Sequence, residues 1–180
     1  MKISPTDRVI YRNNPLAEVV CQIRFDRIEQ LERDGLDPAF KAFVEAEYPV
    51  AQQEQAFGFS LQLGGSPTAS PQPKTIPSTR IFHQSNSDKT WRVSLCADFL
   101  ALNCKQYTSW DAFLPRMLDC AAAISKSYKN ISPTRIGLRY KDLIERDKLG
   151  LDGTPWHQLI RPFLLGPLAE NALSTTDVPD

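Results

Sequence analysis

Within residues 134–144, polar and apolar residues alternate from Arg135 to Lys141, where every second side chain is apolar. A period of two is typical of a strand with one buried face and one polar face. The apolar side carries Ile136, Leu138 and Tyr140, and we expect these side chains to lie in the core. Residues 16–25 alternate in the same way and predict an N-terminal strand that pairs with this stretch.

Two other stretches place apolar residues three and four positions apart, which predicts amphipathic helices. The first begins at Asp37 and Pro38, because an aspartate accepts hydrogen bonds from the free amides of a helix start and proline fits the first turn. It ends before Pro49. The second helix follows Ser109 as its cap, and its apolar stripe consists of Trp110, Phe113, Leu114, Met117, Leu118, Ala121 and Ile124.

Four further strands are predicted between the N-terminal strand and the second helix, at residues 57–63, 80–84, 90–97 and 99–107. The turn-forming residues 86–89 separate the two middle ones, which should form a hairpin. Residues 64–79 contain four prolines and almost no apolar side chain. We expect this stretch to be a mobile surface loop.

The order of these elements predicts an α+β fold, in which a mainly antiparallel sheet of about six strands carries two helices on one face. The other face should be exposed and polar, with the side chains of Gln22, Arg24, Gln62, Gln84, Arg92, Ser94, Arg135 and Arg139. We expect residues 1–146 to form this domain, and residues 147–180 to form a C-terminal apolar segment and tail.

The composition of the 180-residue chain is that of a globular protein, since 42% of the residues are hydrophobic and 23% are charged. Basic and acidic residues number 21 each, so no net charge attracts nucleic acid or an anionic membrane. We find no apolar run of the length of a signal peptide or a membrane span, and the four cysteines form no C-x-x-C pair. These features predict a cytoplasmic protein with reduced thiols and no membrane association.

The sequence offers no pattern of catalytic or metal-binding residues. A cysteine and a histidine can form a nucleophilic pair, but Cys21 lies on the apolar face of a predicted strand and Cys120 lies in a predicted helix. The two histidines, His83 and His157, are distant in sequence, and the cysteines lack the spacing of a zinc site. The sequence therefore predicts no catalytic residue, no metal and no cofactor.

Four arginines on the predicted polar face are the candidate binding residues, namely Arg24, Arg92, Arg135 and Arg139. If their strands are neighbours, the guanidinium groups could grip a phosphate or a carboxylate. The other interpretation is a solvated face without a ligand, because antiparallel sheets commonly expose one side. Sheets that bind RNA present stacking aromatics, and only Phe82 is expected on this face, which makes nucleic acid the less favoured ligand.

Two of the strand patterns resemble those of a known family. Residues 15–25, PLAEVVCQIRF, are similar to the P-L-x-E-V-x-x-x-I-R-F opening of a sporadically distributed family of uncharacterised bacterial proteins. Residues 135–140, RIGLRY, resemble the R-[IV]-G-L-R-Y strand of the same family. The resemblance covers residues 11–145 and implies no activity, cofactor or catalytic residue. It also implies that this chain is short, because members of the family run on past its length.

The C-terminal segment is more apolar than a free tail, with Trp156, Leu159, Ile160, Phe163 and Leu164 in one short stretch. We expect it to pack on the sheet of its own or of a neighbouring chain, and the second arrangement would give a homodimer. The features together predict a non-enzymatic protein-interaction or regulatory module of a bacterial cytosolic system. The alternative is nucleic-acid or nucleotide binding through the arginines.

Overall fold

The structure, a computed structural model, describes residues 15–60 and 74–166, with the side chains of residues 56–60 and 74–78 outside the description. Within these ranges the chain forms six strands and five helices. The strands are β1 (Leu16–Phe25), β2 (Val50–Ser60), β3 (Lys74–Ser85), β4 (Trp91–Cys96), β5 (Phe99–Cys104) and β6 (Pro133–Asp142). The helices are α1 (Glu29–Asp34), α2 (Pro38–Glu47), α3 (Trp110–Ser127), α4 (Trp156–Leu159) and α5 (Pro162–Leu165).

All six described strands belong to one antiparallel sheet with the order β2-β3-β4-β5-β1-β6. Strands β2 to β5 follow one another along the chain as neighbours in the sheet. The N-terminal strand β1 lies between β5 and β6, so the predicted pairing of β1 with β6 is confirmed. The predicted α+β class, with a mainly antiparallel sheet, is also confirmed.

The core lies between the sheet and the two longer helices, because α2 and α3 pack against each other and lie against β3 and β5. Their apolar stripes meet the apolar side of the central strands, as the periods of 3.6 and two residues require. The buried members of this core are Val19, Cys21, Phe25, Leu31, Phe40, Val44, Tyr48, Val93, Leu95, Leu100, Leu102, Cys104, Phe113, Met117, Cys120, Ile124 and Tyr128.

Side-chain caps begin both long helices, as the sequence predicts. The Asp37 carboxylate accepts hydrogen bonds from the amides of Ala39 (2.9 Å) and Phe40 (3.2 Å), and Ser109 Oγ accepts one from the amide of Ala112 (3.2 Å). The backbone amide of Asp37 in turn donates to the hydroxyl of Tyr128, at 2.8 Å. Since Tyr128 follows the last residue of α3, this bond ties the end of one helix to the start of the other.

Three features differ from the prediction. Helix α1 was not predicted, and β2 begins at Val50 rather than at residue 57. Strand β3 begins at Lys74, inside the stretch 64–79 that was predicted to be a loop. Residues 50–55 are exposed and mostly polar on both sides, so backbone pairing with β3 holds them without the apolar alternation that marks a strand in sequence. The remainder of the predicted loop, residues 64–73, lies outside the described residues.

The chain divides into two compact units, and we call residues 16–142 the sheet unit. The other unit comprises residues 1–15 and 143–180, of which Pro15 and residues 143–166 are described. The apolar segment that starts at Trp156 is divided into the two short helices α4 and α5. The break falls at Arg161, which is extended because the ring of Pro162 disfavours a helical conformation in the residue before it.

Candidate interaction surface

The apolar side of β6 lies on the same side of the sheet as the helices and is largely exposed. In the register of β1 and β6, Leu138 stands opposite the buried Cys21, and Ile136 and Tyr140 point to the same side. The prediction that these three side chains are buried was wrong, because Ile136 is 69% exposed, Tyr140 46% and Leu138 44%. Their direction was correct, but α2 and α3 lie over β3 and β5 and do not cover β6.

Strand β6 is also an edge of the sheet, since no other described strand pairs with the side of β6 that faces away from β1. Half of the backbone amides and carbonyls of an edge strand point outward, and they can bind a further extended segment. Proteins commonly protect such edges with charge or cover them. Here the row of Ile136, Leu138 and Tyr140 leaves one side of the edge exposed and apolar.

One end of this apolar row is supported by the core. The ring of Tyr140 contacts the ring of Tyr107 edge-on, with centroids 5.7 Å apart, and the two hydroxyls are 3.5 Å apart. Tyr107 in turn lies 6.0 Å from the ring of the buried Phe113. Tyr140 is therefore backed by a packed aromatic group, whereas Ile136 at the other end is the most exposed of the three.

The opposite side of β6 is cationic, with Arg135, Arg139 and Lys141 in alternate positions. Arg139 Nη2 lies 4.0 Å from Glu18 Oε2 on β1, while 72% of the arginine side chain is exposed. An ion pair this long and this exposed contributes little to stability, so the guanidinium stays available to other partners. The β6 edge thus combines an apolar row on one side with a cationic row on the other.

The four candidate arginines do not form one cluster. Arg24 and Arg135 are direct neighbours in the register of β1 and β6, and Arg24 also lies 3.6 Å from the carboxylate of Asp98. Arg139 is four positions further along β6 than Arg135, about 13 Å away at 3.3 Å per residue. Arg92 is three strands from β6, a distance of about 14 Å at the usual strand spacing. The structure therefore brings two of the four together as a pair.

Several side chains predicted on the exposed polar face lie elsewhere. Gln84 and Phe82 point toward the helices, since they stand opposite the core residues Val93 and Leu95. Ser94 does point away from the helices, but it is buried. The error arose because the polar Gln84 was assigned to the exposed face of its strand, whereas this residue is 95% buried in the structure. Gln62 lies outside the described residues.

A serine, a histidine and a carboxylate form a hydrogen-bonded chain across three strands, which sequence analysis did not find. His83 Nδ1 lies 2.8 Å from Ser94 Oγ, and His83 Nε2 lies 3.2 Å from Glu54 Oε2. These are the residue types of a nucleophilic triad. The register of the predicted hairpin would have revealed it, because His83 and Ser94 stand directly opposite each other.

Two structural features argue that this chain of hydrogen bonds links strands rather than performs catalysis. Ser94 is 7% exposed, which leaves little room for a substrate at its hydroxyl. It also lies in β4 with paired residues on both sides, His83 and Ala101, so its backbone amide belongs to the sheet. A serine nucleophile needs free amides nearby to stabilise an oxyanion, and the interior of a sheet supplies none.

A groove of about 360 Å³ lies between α2 and the strands β2 and β3. Its lining includes Lys41 and Glu45 of α2, whose charged groups are 3.7 Å apart, and the amide side chain of Gln84. The oxygen Oε1 of Gln84 is buried and has no hydrogen-bond partner among the described residues. That oxygen is also closed to solvent, so it is not offered to a ligand in the groove.

The four cysteines are free and buried. Burial raises the pKa of Cys21, Cys96 and Cys104, and it raises the pKa of Cys120 to about 12. A thiol must ionise to act as a nucleophile or a metal ligand, so these environments favour unreactive side chains. Within the described ranges, no group of three histidine, cysteine or acidic side chains is arranged to hold a metal ion.

The described part of the C-terminal segment exposes apolar side chains. Phe163 and Leu164 of α5 are 77% and 68% exposed, while Trp156, Leu159 and Ile160 are partly buried. The guanidinium of Arg146 lies 4.8 Å from the ring centroid of Trp156, which explains the partial burial of the indole. The predicted packing segment is therefore ordered at Trp156 and open to a partner at Phe163 and Leu164.

None of the described helices is both long enough and apolar enough to span a bilayer. The chain matches no family model, no curated protein and no solved structure. The resemblance of residues 15–25 and 135–140 to a bacterial family thus stays a hypothesis from sequence, and the candidate surface is defined by its geometry alone.

Proposed function

We propose that the protein is a non-enzymatic protein-interaction module that binds an extended segment of a partner along β6. The observation that supports this proposal is the row Ile136, Leu138 and Tyr140, which is exposed on a strand with an unpaired edge. Addition of a strand to a sheet edge gains main-chain hydrogen bonds, and alternate side chains give the binding its specificity. The β6 edge offers both.

The other edge of the sheet supports the choice of β6 by contrast. In the part of β2 whose side chains are described, Val50 and Ala51 are followed by Gln52, Gln53, Glu54 and Gln55. The four polar side chains are all exposed, so this part of β2 has no continuous apolar row. Both strands have an unpaired side among the described residues. Where side chains are described, β6 carries a continuous apolar row, whereas β2 has Val50 and Ala51 at one end.

Nucleic-acid or nucleotide binding has less support. Arg24 and Arg135 are adjacent, but Arg92 and Arg139 stand apart from them. Phe82, the aromatic side chain expected to stack on a base, packs against the core instead. An RNA-binding sheet needs an aromatic platform beside its cations, which this face does not present in the described residues.

Site-specific photocrosslinking tests the proposal. A photoreactive phenylalanine analogue replaces Ile136 on β6 or, in the matched variant, Gln53 on β2, in the full chain produced in its native cells. We expect a discrete cross-linked protein from position 136 that is lost when Leu138→Lys is added, and none from position 53. Equal cross-linking from both strands, or no product from position 136, would overturn the proposal.

A further inference from the structure

We infer that the partner segment is an extended strand whose residues are alternately acidic and apolar, and that it adds to the sheet beside β6. This inference rests on the proposed function, because it names the chemistry of the partner at the same edge. It is carried by the two different sides of β6, one apolar and one cationic, in a strand that runs from Pro133 to Asp142.

The cationic side selects for acidic residues. Directly opposite side chains of neighbouring strands have Cβ atoms about 4.5–5.5 Å apart, so a charge on the partner would face the charge on β6. Arg135 lies directly opposite a position of the added strand, whereas its neighbour Arg24 on β1 lies one strand further away and 3.6 Å from the Asp98 carboxylate. A carboxylate on the partner can pair with Arg135, and a second carboxylate can pair with Arg139, which is 72% exposed.

The apolar side selects for apolar residues at the positions in between. A strand with a period of two sends its other side chains over the helix side of the sheet, next to Ile136 and Leu138. There they would cover part of the exposed row and extend the core by one strand. Tyr140 is held by Tyr107 and offers a fixed ring at the end of that row.

Charge argues against a second copy of β6 as the occupant. Two copies of β6 can pair as antiparallel strands with both helical layers on the same side of the joint sheet. If this pair is centred on Leu138, Arg135 stands opposite Lys141 of the other copy. Centred on Gly137, it places Arg135 opposite Arg139. Like charges directly opposite destabilise a sheet. If one copy is turned over, cationic residues fall opposite the apolar row, which leaves that row without an apolar partner.

Three fluorescent peptides of about nine residues, the usual length of a long strand, test the inference with the full chain. The acidic probe alternates glutamate with valine, the cationic probe replaces each glutamate by lysine, and the scrambled probe keeps the acidic composition without alternation. Fluorescence anisotropy measures binding at probe concentrations too low for the peptides to assemble. We expect the acidic probe to bind at least tenfold more tightly than either of the others.

Three variants locate the binding. Arg135→Glu with Arg139→Glu should weaken the acidic probe about tenfold or more and strengthen the cationic probe, because each reversed charge turns attraction into repulsion. Leu138→Lys should abolish binding of both. Gln53→Lys on β2 should change nothing. Circular dichroism and thermal melting show that each variant is folded, which these exposed positions permit.

The outcomes separate this inference from the proposed function. Equal binding of the acidic and cationic probes, or of the acidic and scrambled probes, overturns the inference even when position 136 cross-links to a protein. Binding that survives Leu138→Lys places the peptide elsewhere and overturns it as well. Self-association of the chain that Leu138→Lys removes would make a second copy the occupant. Absence of any cross-linked product at position 136 refutes the proposed function itself.

Discussion

Strands β1 and β6 are neighbours with the same alternation of apolar and polar residues, yet their apolar sides have different surroundings. Cys21 is 3% exposed, whereas Leu138, directly opposite in the register, is 44% exposed. Val19 is fully buried, whereas its partner Tyr140 is 46% exposed. The helical layer thus ends between two adjacent strands, and a step of about 4.8 Å separates core from surface.

This difference shows that alternation determines the direction of a side chain but not what covers it. The length and position of α2 and α3 decide how many strands have a covered apolar side. Four strands, β3, β4, β5 and β1, contribute residues to the core or pack against it. The apolar row of β6 extends the same surface beyond the helices, and its three side chains are 44% to 69% exposed.

The largest expected effect comes from placing a carboxylate on either side of this boundary. Val19→Asp should prevent folding, because a buried unpaired carboxylate costs on the order of 5 kcal/mol or more, comparable with a whole domain stability of about 5–15 kcal/mol. Leu138→Asp should cost about 1 kcal/mol, since only part of that side chain leaves water on folding. Urea denaturation followed by circular dichroism measures both. An insoluble Leu138→Asp protein would show that β6 is covered in solution.

The buried thiols make the covered side sensitive to alkaline pH. The pKa of Cys120 is raised from 9.0 to about 12 in the folded protein, because its burial penalises the thiolate. When the pKa of a group is higher in the folded protein than in the unfolded chain, its contribution to the stability of the folded protein is fully present below the unfolded pKa. This contribution is lost as the pH rises through the folded pKa. The free energy of unfolding should therefore fall between pH 9 and pH 12.

Chemical denaturation at pH 8 and pH 10 measures how steeply the free energy of unfolding falls with pH, and Cys120→Ala is the matched variant. The alanine protein should be less stable at pH 8, because it has a small cavity, but its stability should fall less steeply with pH. Equal slopes in the two proteins would mean that Cys120 ionises freely and is not covered as the structure has it.

The exposed apolar pair of α5 provides a second surface to compare with β6. We predict that self-association uses this segment, because β6 opposes its own copy by charge. Phe163→Ser with Leu164→Ser should shift a dimer to the monomer position in gel filtration, while Leu138→Lys should leave the dimer in place. Both positions of α5 are exposed, so each of the two substitutions should change the free energy of unfolding by less than about 0.5 kcal/mol. A monomeric unmodified chain would refute the prediction.

A small stabilising effect is expected at Gly137, on the cationic side of β6 between Arg135 and Arg139. A Cβ atom added there meets nothing within 4 Å. Gly137→Ala should stabilise the protein by about 0.4–1 kcal/mol, because alanine has less conformational freedom in the unfolded chain. A shift of a few degrees in the melting temperature measures it. A loss of stability would indicate that another segment approaches the cationic side closely in solution.

Much of the fold could be predicted from local patterns. The alternation in residues 16–25, the caps Asp37 and Ser109, and the turn at residues 86–89 all depend on neighbours in sequence, and the structure has the corresponding strand, helices and hairpin. Strand β2 was misplaced because residues 52–55 are polar on both sides, and only pairing with β3 makes them a strand.

The candidate site was predicted only in part. The residues Ile136, Leu138 and Tyr140 were singled out, but as core, since a sequence does not reveal where a helical layer ends. The arginines could form one cluster only if their strands were neighbours, and the strand order keeps two of the four apart. The order β5-β1-β6 depends on pairings between distant parts of the chain, which no local pattern specifies.

The position of β1 between β5 and β6 has a consequence for biosynthesis. Strand β1 is made before the other five described strands, but its two partners begin only at residues 99 and 133. At roughly 5–20 residues per second, the ribosome needs several seconds to complete the segment from β1 to β5 and longer to reach β6. During that interval β2 to β5 can form their hairpins, while β1 still lacks a neighbouring strand and its apolar side stays exposed. A nascent chain stalled before β5 would therefore expose an unpaired, aggregation-prone strand at its N-terminal end.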